Sequence, residues 1–125
     1  MKLEHFAVDV PDAPAFVKWW CDNLGFRVSA VGPGFILDDT GVMGIEVYRT
    51  GETPAAPDYK AMNAMTFHIA LVSEDVQADV DRLVKAGATL EQLKVENPAF
   101  HMALLRDPWG VTIQLCKRTK SIFLA

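Results

Sequence analysis

Four polar side chains, His5, Glu46, His68 and Gln114, fall where a metal ion or small ligand could be held. Each sits in a short run that reads as a β-strand. The runs are Leu3-Glu4-His5-Phe6-Ala7-Val8, Gly44-Ile45-Glu46-Val47-Tyr48, Thr66-Phe67-His68-Ile69-Ala70-Leu71 and Val111-Thr112-Ile113-Gln114-Leu115. Successive strand side chains point to opposite faces, so each of the four lies opposite the apolar face of its own strand. Phe6 and Val8, Ile45 and Val47, Phe67 and Ile69, and Ile113 and Leu115 then supply a core. Two imidazoles, a carboxylate and an amide oxygen left on the other face have the donor types of a divalent-metal site. A lone histidine on a half-exposed strand is more often just solvated or hydrogen-bonded. The placement of these four within a repeat sets them apart from that ordinary case.

The chain is one pattern written twice. His5 and His68 are 63 positions apart, and the same offset sets Val17 on Val80 and Trp20 on Leu83. An offset of 68 then sets residues 35–39 on 103–107 and 44–49 on 112–117, which places Glu46 on Gln114. The offset grows within 90–102, where the second half is longer. Asp12 is expected to cap a first helix, with Pro14 in its first turn, Gly25 past its end, and Phe16, Val17, Trp20 and Leu24 on its apolar stripe. Ser73 is expected to cap a second helix that carries Val76, Val80, Leu83 and Val84 and closes at Gly87. Asp39-Thr40-Gly41 and Asp107-Pro108-Trp109-Gly110 supply turns before the last strand of each half.

These elements predict an α+β fold in a single domain over residues 1–118. Module one covers 1–49, a linker 50–64 and module two 65–118, followed by a tail at 119–125. The linker holds Gly51, Pro54 and Pro57, which suit either an exposed connection or a flap over a site. The tail carries Ile122, Phe123 and Leu124. If the polar faces of the two modules are brought together, they form a shared trough. Tyr48, two residues beyond Glu46, shares its face, and Cys116 stands likewise to Gln114. Phe35 and His101 are further candidates for contact with a substrate.

Composition narrows the partners. The chain of 125 residues is 50% hydrophobic and 22% charged, with a net charge of −4 and a pI near 5.2. Without an excess of Lys and Arg, nucleic-acid binding is disfavoured, because that affinity rests on neutralising phosphates. No apolar run reaches the roughly 18 residues of a membrane-spanning helix. Two cysteines do not make a disulfide framework, and the expected location is cytoplasmic.

Leu3-Glu4-His5-Phe6-Ala7-Val8, Phe67-His68-Ile69-Ala70-Leu71 and Arg106-Asp107-Pro108-Trp109-Gly110-Val111-Thr112-Ile113-Gln114-Leu115 resemble the vicinal-oxygen-chelate superfamily. That group includes glyoxalase I, bleomycin-resistance proteins, extradiol dioxygenases and methylmalonyl-CoA epimerase. The resemblance spans most of residues 2–118 and is closest to glyoxalase I-like proteins. It implies two βαβββ modules whose curved mixed sheets enclose a shared trough. It also implies His5, Glu46, His68 and Gln114 as ligands of a divalent ion: nickel, zinc, cobalt or manganese, with iron ranked behind them. By the same resemblance the chain is a homodimer, in which His5 and Glu46 of one copy meet His68 and Gln114 of the other. Pairing of the modules within one chain is the open alternative.

Gln114 departs from the family, which carries a carboxylate there in glyoxalase I, the epimerase and the dioxygenases. An amide accepts no proton near neutral pH, although its oxygen can still ligate. Glu46 is the carboxylate left to transfer a proton. The resemblance thus implies a metal-dependent lyase or isomerase acting on a small carbonyl-containing substrate. The alternative is a small-molecule binding protein of the bleomycin-resistance kind without catalysis, with a dioxygenase ranked last.

Overall fold

The structure, a computed structural model, describes residues 1–124. The chain folds as two compact units, Met1–Pro57 and Asp58–Ala125. The first contains β1 (His5–Val10), α1 (Ala13–Leu24), β2 (Arg27–Ser29), β3 (Gly32–Leu37) and β4 (Gly44–Arg49), in sheet order β1-β4-β3-β2. The second contains β5 (Ile69–Val72), α2 (Val76–Lys85), β6 (Thr89–Lys94), β7 (Phe100–Arg106) and β8 (Thr112–Arg118), in sheet order β5-β8-β7-β6. In each sheet the first strand runs parallel to the last and the other pairings are antiparallel. The fold is therefore α+β, two βαβββ modules with mixed sheets. Strand register carries the repeat as well: Ala7 stands opposite Glu46, and Ala70 opposite Gln114.

Local chemistry explains the boundaries. The Asp12 side chain accepts from the Ala15 N–H at 3.1 Å, Pro14 sits in the first turn, and Gly25 ends α1 at φ 73°. Phe16 and Trp20 are fully buried and stacked at 5.2 Å, with Phe26 edge-on to Trp20 at 5.2 Å. The cap of α2 is Asp75 rather than Ser73, and its carboxylate accepts from the Ala78 N–H at 3.0 Å. Ser73, just past β5, is held to the sheet by its N–H, which bonds to the Cys116 carbonyl at 2.9 Å. Its hydroxyl donates to Asp79 at 2.6 Å instead. The α2 stripe is narrower than the sequence predicts: Val76, Val80 and Leu83 are buried, but Val84 is exposed.

The turn before β8 depends on Asp107, whose Oδ1 accepts from the N–H groups of Trp109 and Val111, both at 2.9 Å. Gly110 completes it at φ 87°, and a Cβ there would overlap Lys60 Cγ and lie 3.0 Å from the Lys60 nitrogen. Gly110→Ala therefore meets both a left-handed backbone and a backbone neighbour. It should cost about 2 kcal/mol or more, read as a lower urea midpoint. A loss below about 0.5 kcal/mol, the scatter of ordinary surface changes, would contradict this account.

The connection differs from the linker expected over 50–64. Residues 58–64 pack on module two, with one 3-10 turn at Tyr59–Ala61 and with Tyr59 and Ala64 buried. The Arg106 guanidinium ties this strap down, donating to the carbonyls of Tyr59 at 2.8 Å, Met62 at 2.7 Å and Gly110 at 3.2 Å. Its Nε pairs with Glu91 at 2.6 Å. Residues 50–57 are largely exposed. Among the described residues, no helix is long and apolar enough to cross a membrane.

Candidate functional site

In module one, Val8, Val10, Ile36 and Ile45 are buried, and α1 lies against this sheet. The alternate positions His5, Ala7 and Asp9 of β1 share the other face with Glu46 and Tyr48 of β4. Phe35, opposite Glu46 in β3, joins them. His5 Nε2 stands 3.3 Å from Glu46 Oε2. Its Nδ1 is 2.6 Å from Glu4 Oε1, so in the neutral ring the proton on Nδ1 is donated to that carboxylate. In that tautomer Nε2 has the lone pair that a cation set between it and Glu46 would take. Phe35 meets the imidazole edge-on at 5.3 Å. Hydrogen bonding to Glu46, with some desolvation, pushes the Tyr48 phenol above its usual pKa of 10.0.

Donor chemistry allows a test of fit to a metal. Two ligand atoms each about 2.1 Å from one ion, at roughly 90–110°, lie about 3.0–3.4 Å apart. The His5–Glu46 spacing of 3.3 Å matches one edge of such a polyhedron. Module one supplies only that edge: among the described residues, no group of three or more His, Cys, Asp and Glu side chains is placed to hold a metal ion.

Module two places its pair differently. His68 lies just before β5 rather than within it, because the Asn63 carbonyl accepts the N–H groups of Thr66 and Phe67 and keeps them out of the ladder. His68 Nδ1 donates to the Ala64 carbonyl at 2.8 Å, which again leaves Nε2 as the free donor of an electron pair. Gln114 is buried, and its Oε1 accepts from the Cys116 thiol at 3.2 Å. Burial pushes that thiol up and the Arg118 guanidinium partly offsets it, so Cys116 stays a protonated donor. Leu104 and Met102, opposite Gln114 and Cys116, form an apolar cluster with Ala64 and Phe100. The structure thus joins His5, Glu46, Tyr48 and Phe35, whereas His68 and Gln114 each bond to a different partner.

His101 is removed from the set of candidate site residues. The β7–β8 register sets Leu104 against Gln114 and His101 against Lys117, so His101 occupies the opposite face. There it lines a cavity of about 400 Å³ with Glu74, Asp75, Val76, Gln77 and Lys117 at the start of α2. Asp9 went unnoticed in the sequence. It is buried, opposite Tyr48 in the register, and accepts from the Thr53 hydroxyl. The signal was available, since Asp9 has the same strand parity as His5.

Comparison with known proteins bears on this arrangement. The family model for the Glyoxalase/Bleomycin resistance protein/Dioxygenase superfamily matches residues 2–115. No curated protein matches the chain. Among solved structures, a glyoxalase family protein from Bacillus cereus is 15% identical, with a TM-score of 0.76, covering 96% of this chain and 95% of that one. TnmS3, an antibiotic binding protein from Streptomyces sp. CB03234, is 21% identical with a TM-score of 0.71, covering 95% and 97%. A superfamily member from Sphaerobacter thermophilus is 13% identical with a TM-score of 0.69, covering 93% and 96%. At these identities the solved structures speak to fold alone, while the family model spans nearly the whole chain. With its two matched βαβββ modules, the chain belongs to the glyoxalase/bleomycin resistance protein/dioxygenase superfamily.

Proposed function

We propose that this protein is a divalent-metal-dependent lyase or isomerase that transfers a proton beside the carbonyl of a small substrate. The supporting observation is the His5–Glu46 pair, spaced at 3.3 Å, with Glu4 holding the imidazole from behind. In the proposal His68 and Gln114 complete the ligand set, and two copies of the chain form a cytoplasmic homodimer. Nickel, zinc, cobalt or manganese suits this donor set. A bound ion of this kind supplies Lewis-acid stabilisation of negative charge developing on substrate oxygen.

The chain's own residues divide the remaining work. Glu46 takes the proton from carbon, since Gln114 cannot. Tyr48 stays protonated through neutral pH and keeps its hydrogen bond on the Glu46 carboxylate, steadying its direction. With one carboxylate instead of two, a divalent site retains a net charge of about +1 and favours an anionic or bidentate oxygen ligand.

Metal content of untagged protein purified without chelators, measured by mass spectrometry, tests the proposal. The expected result is about one nickel, zinc, cobalt or manganese ion per site, lost in a His5→Ala/His68→Ala double variant. Iron in its place would turn the reading toward oxygen chemistry. Protein that takes up no metal even after it is added back would overturn the catalytic reading. The second reading is a small-molecule binding protein without catalysis, favoured by the apolar cluster of Met102, Leu104, Ala64 and Phe100 beside Gln114.

A further inference from the structure

Beyond β8 the tail folds back beside β5. Ile122 and Phe123 stand with Leu71 and Val72 around a cleft of about 150 Å³ whose floor includes Cys116 and Arg118. Ala70 pairs with Gln114 and Val72 with Cys116, so the cleft continues the face that carries Gln114. Its walls are mainly apolar, and Val72, Ile122 and Phe123 are well exposed around it.

Arg118 is the charged exception. Arg49, Arg82 and Arg106 each pair with a carboxylate, but among the described residues Arg118 has no such partner. Its guanidinium lies over the Phe100 ring at 4.2 Å and reaches the Cys116 sulfur, and stacking of this kind holds the planar group flat while its remaining N–H groups stay available. A cavity of about 150 Å³ with apolar walls is large enough for a benzene ring.

We propose that this cleft binds a small monocarboxylate with a compact aromatic or branched apolar body. The body sits between Val72, Ile122 and Phe123, and the carboxylate pairs with the edge of Arg118. This inference rests on reading the Gln114 face as the ligand-binding face, and it names the class of substrate or ligand that face accepts. Guanidinium and carboxylate match in planarity and can form two parallel hydrogen bonds, which a neutral amide of equal shape cannot. The ring contributes burial without regard to charge.

The test is a fluorine NMR titration of the full chain with 4-fluorobenzoate and, separately, neutral 4-fluorobenzamide, each with and without chelator. The acid is expected to bind at about millimolar concentration or tighter, and the amide at least about 10-fold more weakly. Arg118→Gln should lower affinity for the acid to that for the amide. Phe123→Ala should weaken both ligands by a similar factor. Chelation should change none of these values, so failure of the metal reading leaves this result standing. Equal binding of acid and amide, no binding of either, or an unaltered Arg118→Gln titration would each overturn the proposal. So would loss of acid binding on chelation, because the carboxylate would then be held by a metal ion and not by Arg118.

Discussion

Glu46→Gln is expected to slow the proton-transfer step by about 10²–10⁴-fold while leaving the fold unchanged. The substitution keeps the shape of the side chain and its oxygen ligand but removes the atom pair that accepts a proton. It also gives module one the amide that module two already carries at Gln114, in the same register position. Metal content should therefore fall much less than turnover, and that separation is the informative part. Measured together on substrates of the 2-oxoaldehyde-adduct or acyl-CoA epimer type, kcat/KM and bound metal distinguish a base from a ligand. A variant that loses both in proportion would make Glu46 only a ligand. One that loses neither would place the base elsewhere.

Arg106→Met is expected to cost about 3–5 kcal/mol of stability. The Arg106 side chain is 12% exposed and holds the strap through two carbonyls as well as Glu91 and the Gly110 carbonyl. Met replaces most of the apolar stem, so the change isolates the guanidinium. Its loss strands the Met62 carbonyl, leaves the Tyr59 carbonyl only the Met62 N–H, and releases the packing of Ala64 on Met102 and Leu104. Ala64 also anchors the His68 ring, so metal affinity should fall too, by about 10–100-fold as for other supporting partners of a ligand. Urea midpoint and amide exchange over 59–64 test the first claim, and metal titration the second. Glu91→Gln is a control, because a pair with a carboxylate that is 40% exposed contributes little, about 1 kcal/mol or less. An Arg106→Met variant no less stable than Glu91→Gln would mean the strap is held by its apolar residues alone.

The sequence pattern foretold most of the fold through side-chain parity. Val8, Ile45 and Ile113 are buried where alternation put them, and the stripes of α1 and α2 centre on Phe16, Trp20, Val80 and Leu83. The His5–Glu46 pair was legible for the same reason, because parity put both on one face. Three features were hidden. Ser73 and Asp75 are both good capping residues two positions apart, and only the hydrogen bond from Ser73 N to Cys116 decides between them. The strap was masked because Tyr59 and Ala64 follow a stretch holding Gly51, Pro54 and Pro57, and with Ala61, Met62 and Met65 they make no periodicity that reveals a buried face. His101 was misplaced because the extra residues of the second half lie between β6 and β7. The register of β7 is then set by long-range pairing with β8, which local pattern does not report.

The matched registers of β1–β4 and β5–β8 also set a mutational distance. Glu and Gln are specified by codons that differ at a single base. Gln114 occupies the strand position that Glu46 occupies in the first module, opposite an alanine in each case. One nucleotide change at Gln114 would therefore give each module a carboxylate at this strand position, with no strand pairing to be rebuilt. The number of carboxylates on these two matched strand positions can therefore change faster than the fold that holds them.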